Sequence, residues 1–124
     1  MIRLTSLAAS AAAVAAALLL TGSAGAAMHP KLVGVVGKND AYKITLKFNN
    51  KIVKTLKSGT YTLVVHDDSS IHNYELDGPH GKSWSFTSVP FKGTKTFTLK
   101  LKPGKYKAYC EAHESEMFQH FRVN

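Results

Sequence analysis

Apolar and polar residues alternate along much of this chain. Tyr42, Ile44, Leu46 and Phe48 are separated by Lys43, Thr45 and Lys47, the two-residue period of a strand with one dry face. Thr60 to His66 repeats the pattern with Tyr61, Leu63 and Val65 on one face, and Thr94 to Leu101 repeats it with Phe97, Leu99 and Leu101. After the tight Pro103-Gly104 connection, Tyr106, Ala108 and Cys110 share the inward face of a further strand, and Lys105, Lys107 and Tyr109 point the other way. Leu32 to Val36 is a short apolar run. Phe118 to Val123 reads as the closing strand, with Phe121 and Val123 inward and His120 and Arg122 outward.

Turn-forming residues punctuate these runs. They cluster at Asn49-Asn50-Lys51, Ser58-Gly59, Asp67-Asp68-Ser69-Ser70 and Asp77-Gly78-Pro79-His80-Gly81. No segment after the first 26 residues carries a helical period. Short strands at close spacing predict an all-β antiparallel sandwich or barrel.

The beginning of the chain has a different character. Arg3 precedes an apolar stretch from Leu7 to Leu20, and small residues follow, including Ala24-Gly25-Ala26. This is the layout of a cleavable signal peptide over residues 1–26, leaving one domain over residues 27–124. An uncleaved anchor is the rival reading, but the apolar run is short for a bilayer span. The expectation is an exported protein, periplasmic or extracellular, with no stable membrane insertion after cleavage.

The net charge is +8 at pH 7 with histidines neutral. The lysines alternate with apolar residues along strands, as on a solvated sheet face. No arginine cluster or nucleic-acid motif accompanies them, so no nucleic-acid partner is expected. A general attraction to anionic partners or membrane surfaces is compatible with the charge.

Cys110 is the single cysteine. An exported protein commonly uses cysteines for disulfides, and one cysteine cannot form an internal bridge. Cys110 opens the run Cys110-Glu111-Ala112-His113-Glu114-Ser115-Glu116-Met117, and Ile71-His72-Asn73 lies upstream. A thiolate, two imidazoles and a weak axial thioether form the donor set of a blue-copper electron-transfer centre. Taken singly, Cys110 reads as a buried thiol, Met117 as core filling and His113 as a loop histidine. Their concentration in one strand–loop–strand unit favours a metal site. A structural zinc site would recruit more cysteines, and a catalytic one would favour histidine or carboxylate over methionine.

These segments resemble those of the cupredoxins, the small blue-copper proteins that include plastocyanin, azurin and pseudoazurin. Pro103 to Cys110 is similar to the family's penultimate strand, Cys110-x2-His113-x3-Met117 to its ligand loop, and Ile71-His72-Asn73 to its first ligand segment. The resemblance extends over essentially all of residues 27–124. It implies a Greek-key β-sandwich with one mononuclear type 1 copper at one end, held by His72, Cys110, His113 and axial Met117. It also implies that Asn73 hydrogen-bonds across the two ligand loops and tunes the thiolate.

Two features depart from the family pattern. Ala112 stands where proline often precedes the second histidine. Glu111, Glu114 and Glu116 surround a site that relatives often line with apolar residues. Other donors lie elsewhere: His120 and His66 fall on outward strand positions, Glu75 is a distant axial candidate, and His80 in the Gly-Pro loop is the best outside ligand. His29 would act only if cleavage fell after Met28.

The function expected is electron transfer without enzymatic chemistry, by a monomer that meets redox protein partners near His113. A copper carrier or buffer that delivers metal to another exported protein is the alternative. An oxidase or reductase would need a second histidine cluster of comparable density.

Overall fold

The alternation seen in the sequence becomes two stacked layers of strands. The computed structural model describes residues 28–124; the expected signal peptide lies outside them. The described strands are β1 (Lys31–Val36), β2 (Ile44–Phe48), β3 (Lys51–Ile52), β4 (Thr55–Leu56), β5 (Gly59–Asp67), β6 (Glu75–Asp77), β7 (Ser83–Ser85), β8 (Gly93–Leu101), β9 (Gly104–Tyr109) and β10 (Phe118–Val123). One five-stranded sheet has the order β3-β2-β1-β5-β8 and the other β4-β10-β9-β6-β7. Among the described residues no helix is long and apolar enough to cross a membrane.

The sheets are mixed, whereas the sequence pattern suggested antiparallel strands. β1 pairs with β5 in parallel and β10 with β4 in parallel. The intervening segments β2 to β4 carry the chain across and back, so β5 returns in the direction of β1. Each sheet turns its apolar side to the other. Leu32, Leu46, Leu63, Val65, Leu99 and Leu101 face Leu76, Tyr106, Ala108, Phe121 and Val123 across the core.

One end of this sandwich receives the ends of β1, β5 and β9 and the starts of β2, β6, β8 and β10. The opposite end is pinned by two tyrosines. Tyr61 donates its hydroxyl to the Lys57 carbonyl at 2.6 Å, and Tyr106 donates to the Lys102 carbonyl at 2.7 Å. Each bond reaches four residues upstream, as in the tyrosine corner of β-sandwiches. Gln119 ties the layers from the side, accepting the Leu46 N–H at 2.8 Å and donating to the Leu46 and Val53 carbonyls.

Two positions differ from the simple alternation. Tyr42 was expected on the buried face of β2, but β2 begins at Ile44 and Tyr42 is 53% exposed. Gly37, Asn39 and Asp40 adopt positive φ, and the Gly37 N–H donates to the Lys43 carbonyl, so the chain turns tightly before the strand starts. Tyr109 lies on the outer face of β9 as expected, yet it is buried, because its hydroxyl is drawn between the Glu75 and Asp77 carboxylates. Burial first, and then those two acids, raise its pKa.

Candidate metal centre

Cys110 follows the last residue of β9 and is fully buried. A 3₁₀ turn over Glu111–His113 brings the chain around, with the His113 N–H donating to the Cys110 carbonyl at 3.2 Å. The Met117 N–H then donates to the His113 carbonyl at 2.8 Å, and the Cys110 N–H to the Met117 carbonyl at 3.1 Å. The loop is thus a closed unit between β9 and β10, with Met117 buried at its end.

His72 arrives in the loop that crosses from β5 to β6, the strand beside β9, and is fully buried. Its position depends on Gly37. A Cβ there would lie 2.5 Å from Ser69 Cβ and 2.9 Å from His72 Cδ2, and φ is +70°. Only glycine combines that left-handed backbone with that approach.

The result is a triangle of donor atoms. His72 Nδ1 lies 3.0 Å from His113 Nδ1, and Cys110 Sγ lies 3.8 Å and 3.7 Å from these two nitrogens. A point in their plane sits about 2 Å from each, close to metal–nitrogen and metal–thiolate bond lengths. Among the described residues, this is the one group of three histidine, cysteine or acidic side chains with donor atoms close enough to hold an ion. His72 Nε2, the ring nitrogen outside the triangle, is buried without a hydrogen-bond partner. The donor set is chemically suited to a soft, nitrogen- and sulfur-seeking metal.

Asn73 joins the two loops. Its side-chain oxygen accepts the Glu111 N–H at 2.8 Å, its amide donates to Glu75 at 3.2 Å, and its backbone N–H points to Cys110 Sγ at 3.5 Å. His113 is half-buried, with Glu111 and Glu116 exposed in the same loop. The third acid, Glu114, forms an ion pair with Lys107 at 2.9 Å.

The outside donors stay away from the group. His80 is exposed in the Pro79–Gly81 turn, and His120 is exposed on β10 against Phe118. His66 pairs with the Thr94 hydroxyl at 2.9 Å. Glu75 is engaged by the Asn73 amide at 3.2 Å and the Tyr109 hydroxyl at 2.9 Å.

Two nearby residues carry no signal in the ligand motif. The Tyr42 ring packs edge-on against both histidines, with centroids 4.9 Å from His72 and 4.6 Å from His113. Asp67, at the end of β5, is fully buried with Oδ2 unpartnered. Burial raises its pKa, opposed by the nearby Thr87 hydroxyl, the Ser69 N–H and the field of His72. Its inward position was readable, because Tyr61, Leu63, Val65 and Asp67 share one parity.

The fold is that of the cupredoxins, with a histidine–cysteine–histidine group at the end of the sandwich typical of a blue-copper site. Solved structures of rusticyanin are similar to this chain. A rusticyanin variant has a TM-score of 0.54 at 14% identity, with 76% of each chain covered. Reduced rusticyanin has a TM-score of 0.52 at 16% identity, covering 76% of this chain and 78% of that one. Rusticyanin from Thiobacillus ferrooxidans has a TM-score of 0.51 at 16% identity over 76% of each chain. No protein-family model and no curated protein sequence matches the chain.

Proposed function

We propose that this chain is an exported type 1 copper protein that carries single electrons between redox partners. The observation that supports it most is the triangle of His72 Nδ1, Cys110 Sγ and His113 Nδ1. In this reading those three side chains hold copper, and Met117 supplies the weak axial thioether. Copper, when bound, supplies a one-electron couple, and the protein contributes a dry and rigid holder. Rusticyanin, with which the chain shares its fold, is described as a copper protein.

The residues divide the work. Asn73 and the closed Cys110–Met117 loop fix the donors in place. Burial of Cys110, His72 and Met117 excludes water from them. His113 is the one member of the set that reaches the surface, so its ring is the contact point for a partner. Glu111 and Glu116 beside it favour a partner with a basic docking face.

Copper-loaded protein is expected to show an intense visible sulfur-to-copper band that Cys110→Ser abolishes. A copper carrier would surrender Cu(I) readily to a chelator, and an electron carrier would hold it. Glu111, Glu114 and Glu116 changed together to Gln should alter stopped-flow electron transfer with a charged partner, and the effect should shrink with salt. Ready loss of Cu(I), together with an unchanged rate in the triple variant, would replace electron transfer with metal delivery.

A further inference from the structure

Charge is divided along the length of the sandwich. The chain has eight acidic residues. Asp40 and the pair ending β5 lie at the metal end, and three acids occupy the Cys110–Met117 loop. Glu75 and Asp77 lie on β6 just beneath, bonded to Tyr109. The opposite end holds no acid among the described residues. It presents Lys51, Lys54, Lys57, Lys102, Lys105 and Arg122, all exposed.

These cations form one continuous surface. Lys105 and Arg122 sit directly opposite each other in the β9–β10 register. The Arg122 N–H donates to the Lys54 carbonyl at 3.0 Å. Gly59, two residues past Lys57, pairs with Leu101, which adjoins Lys102. Like charges directly opposite on a sheet destabilise it. The one ion pair among the described residues, Lys107–Glu114, lies toward the other end. β5 alone, nine residues long, spans roughly 30 Å. That exceeds a screening length of about 10 Å at 0.1 M salt, so the acids of the metal end do not cancel this field; Asp77, two register positions from Lys105, is the acid nearest to it.

We propose that this basic pole docks the protein on an anionic lipid bilayer, leaving the metal end facing away from it. Two observations select lipid over a soluble polyanion. Apolar side chains stand among the cations, with Met28 98% and Ile52 46% exposed, and an interface takes up apolar and basic groups together. A groove of about 360 Å³ at the same pole is lined by Trp84, Lys82, Lys100 and Lys102. Lys82 Nζ lies 5.3 Å from the Trp84 ring centre there, and tryptophan suits an interface that is apolar on one side and wet on the other. The proposal concerns the surface and requires no metal.

The test is co-sedimentation of the exported protein with lipid vesicles. One set is phosphatidylcholine alone and the other an equal mixture with phosphatidylglycerol, at low and at physiological salt. Binding is expected to the anionic vesicles only and to weaken with salt. The triple variant Lys51→Gln, Lys54→Gln, Lys57→Gln should lose affinity on the order of a hundredfold. The triple variant Lys38→Gln, Lys43→Gln, Lys92→Gln removes the same charge from the metal end and should lose less than about threefold. Equal losses in the two variants would reduce the effect to net charge and overturn the proposal. So would absence of vesicle binding, including the case in which the protein binds heparin but not vesicles.

Discussion

Asn73 accepts the Glu111 backbone N–H at 2.8 Å, a side-chain bond that links the loop bearing His72 to the loop bearing Cys110 and His113. Asn73→Ala removes the acceptor and leaves a backbone donor unpaired next to the donor triangle. The variant should be less stable by about 1–3 kcal/mol, measured by urea unfolding of the metal-free protein. Its copper-loaded form should also show a displaced visible band, because the Cys110 thiolate loses its fixed neighbour. An unchanged band would confine Asn73 to a structural role.

Met117 is buried, so Met117→Leu nearly conserves volume and should cost less than about 1.5 kcal/mol of stability. It should keep copper and raise the reduction potential, because loss of a weak electron donor disfavours Cu(II). Met117→Gln should lower the potential, since an amide oxygen is a harder donor. His120→Ala should leave the spectrum unchanged. Voltammetry and visible spectra of the three variants check the axial assignment together. A large change in His120→Ala with none in Met117→Leu would transfer that role.

Tyr42 covers both histidines from the solvent side although it is itself exposed. Tyr42→Ala removes two edge-to-face contacts of about 0.5–1.5 kcal/mol each. Copper loss to a chelator should therefore accelerate by roughly tenfold or more. Tyr42→Phe keeps the ring and should stay near the parent rate. Stopped-flow chelation separates the two.

Asp67 binds its proton more tightly in the folded protein than in the unfolded chain, because burial disfavours the carboxylate. The folded state then holds more protons than the unfolded one above the ordinary carboxylate pKa of about 4. Stability from this group is complete below that pH and declines as pH rises through the higher folded value. The neighbouring charges are Asp68, which raises the pKa further, and His72, which lowers it. Urea midpoints of the metal-free protein should fall over this window. Asp67→Asn, which cannot ionise, should lack that component of the fall.

The strands with one dry face were legible because their alternation is long enough to count, as in β5 and β8. β3, β4, β6 and β7 have two or three residues each, too few for a period to emerge, so Trp84 on β7 gave no sign of being a strand residue. Cys110, His113 and Met117 could be read together because one loop carries them. His72 lies far upstream in another loop, so donor chemistry could propose it as the second imidazole, but its approach depends on the long-range pairing of β6 with β9. Tyr42 escaped because alternation assigned it to the core, while the positive-φ turn from Gly37 to Asp40 moves the start of β2 past it. The parallel pairing of β1 with β5 is a property of the connections and leaves no mark on either strand.

His72 lies 41 positions before His113, in the connection that leaves β5 in one sheet and enters β6, the neighbour of β9, in the other. An unfolded chain offers Cys110, His113 and Met117 as a local cluster, but the third strong donor arrives only when the β5–β6 connection has been set beside β9. Full-strength metal capture is therefore a property of the finished sandwich and not of its ligand loop. A molecule loaded through all of these donors is one that has completed folding, so metal content doubles as a count of correctly assembled protein.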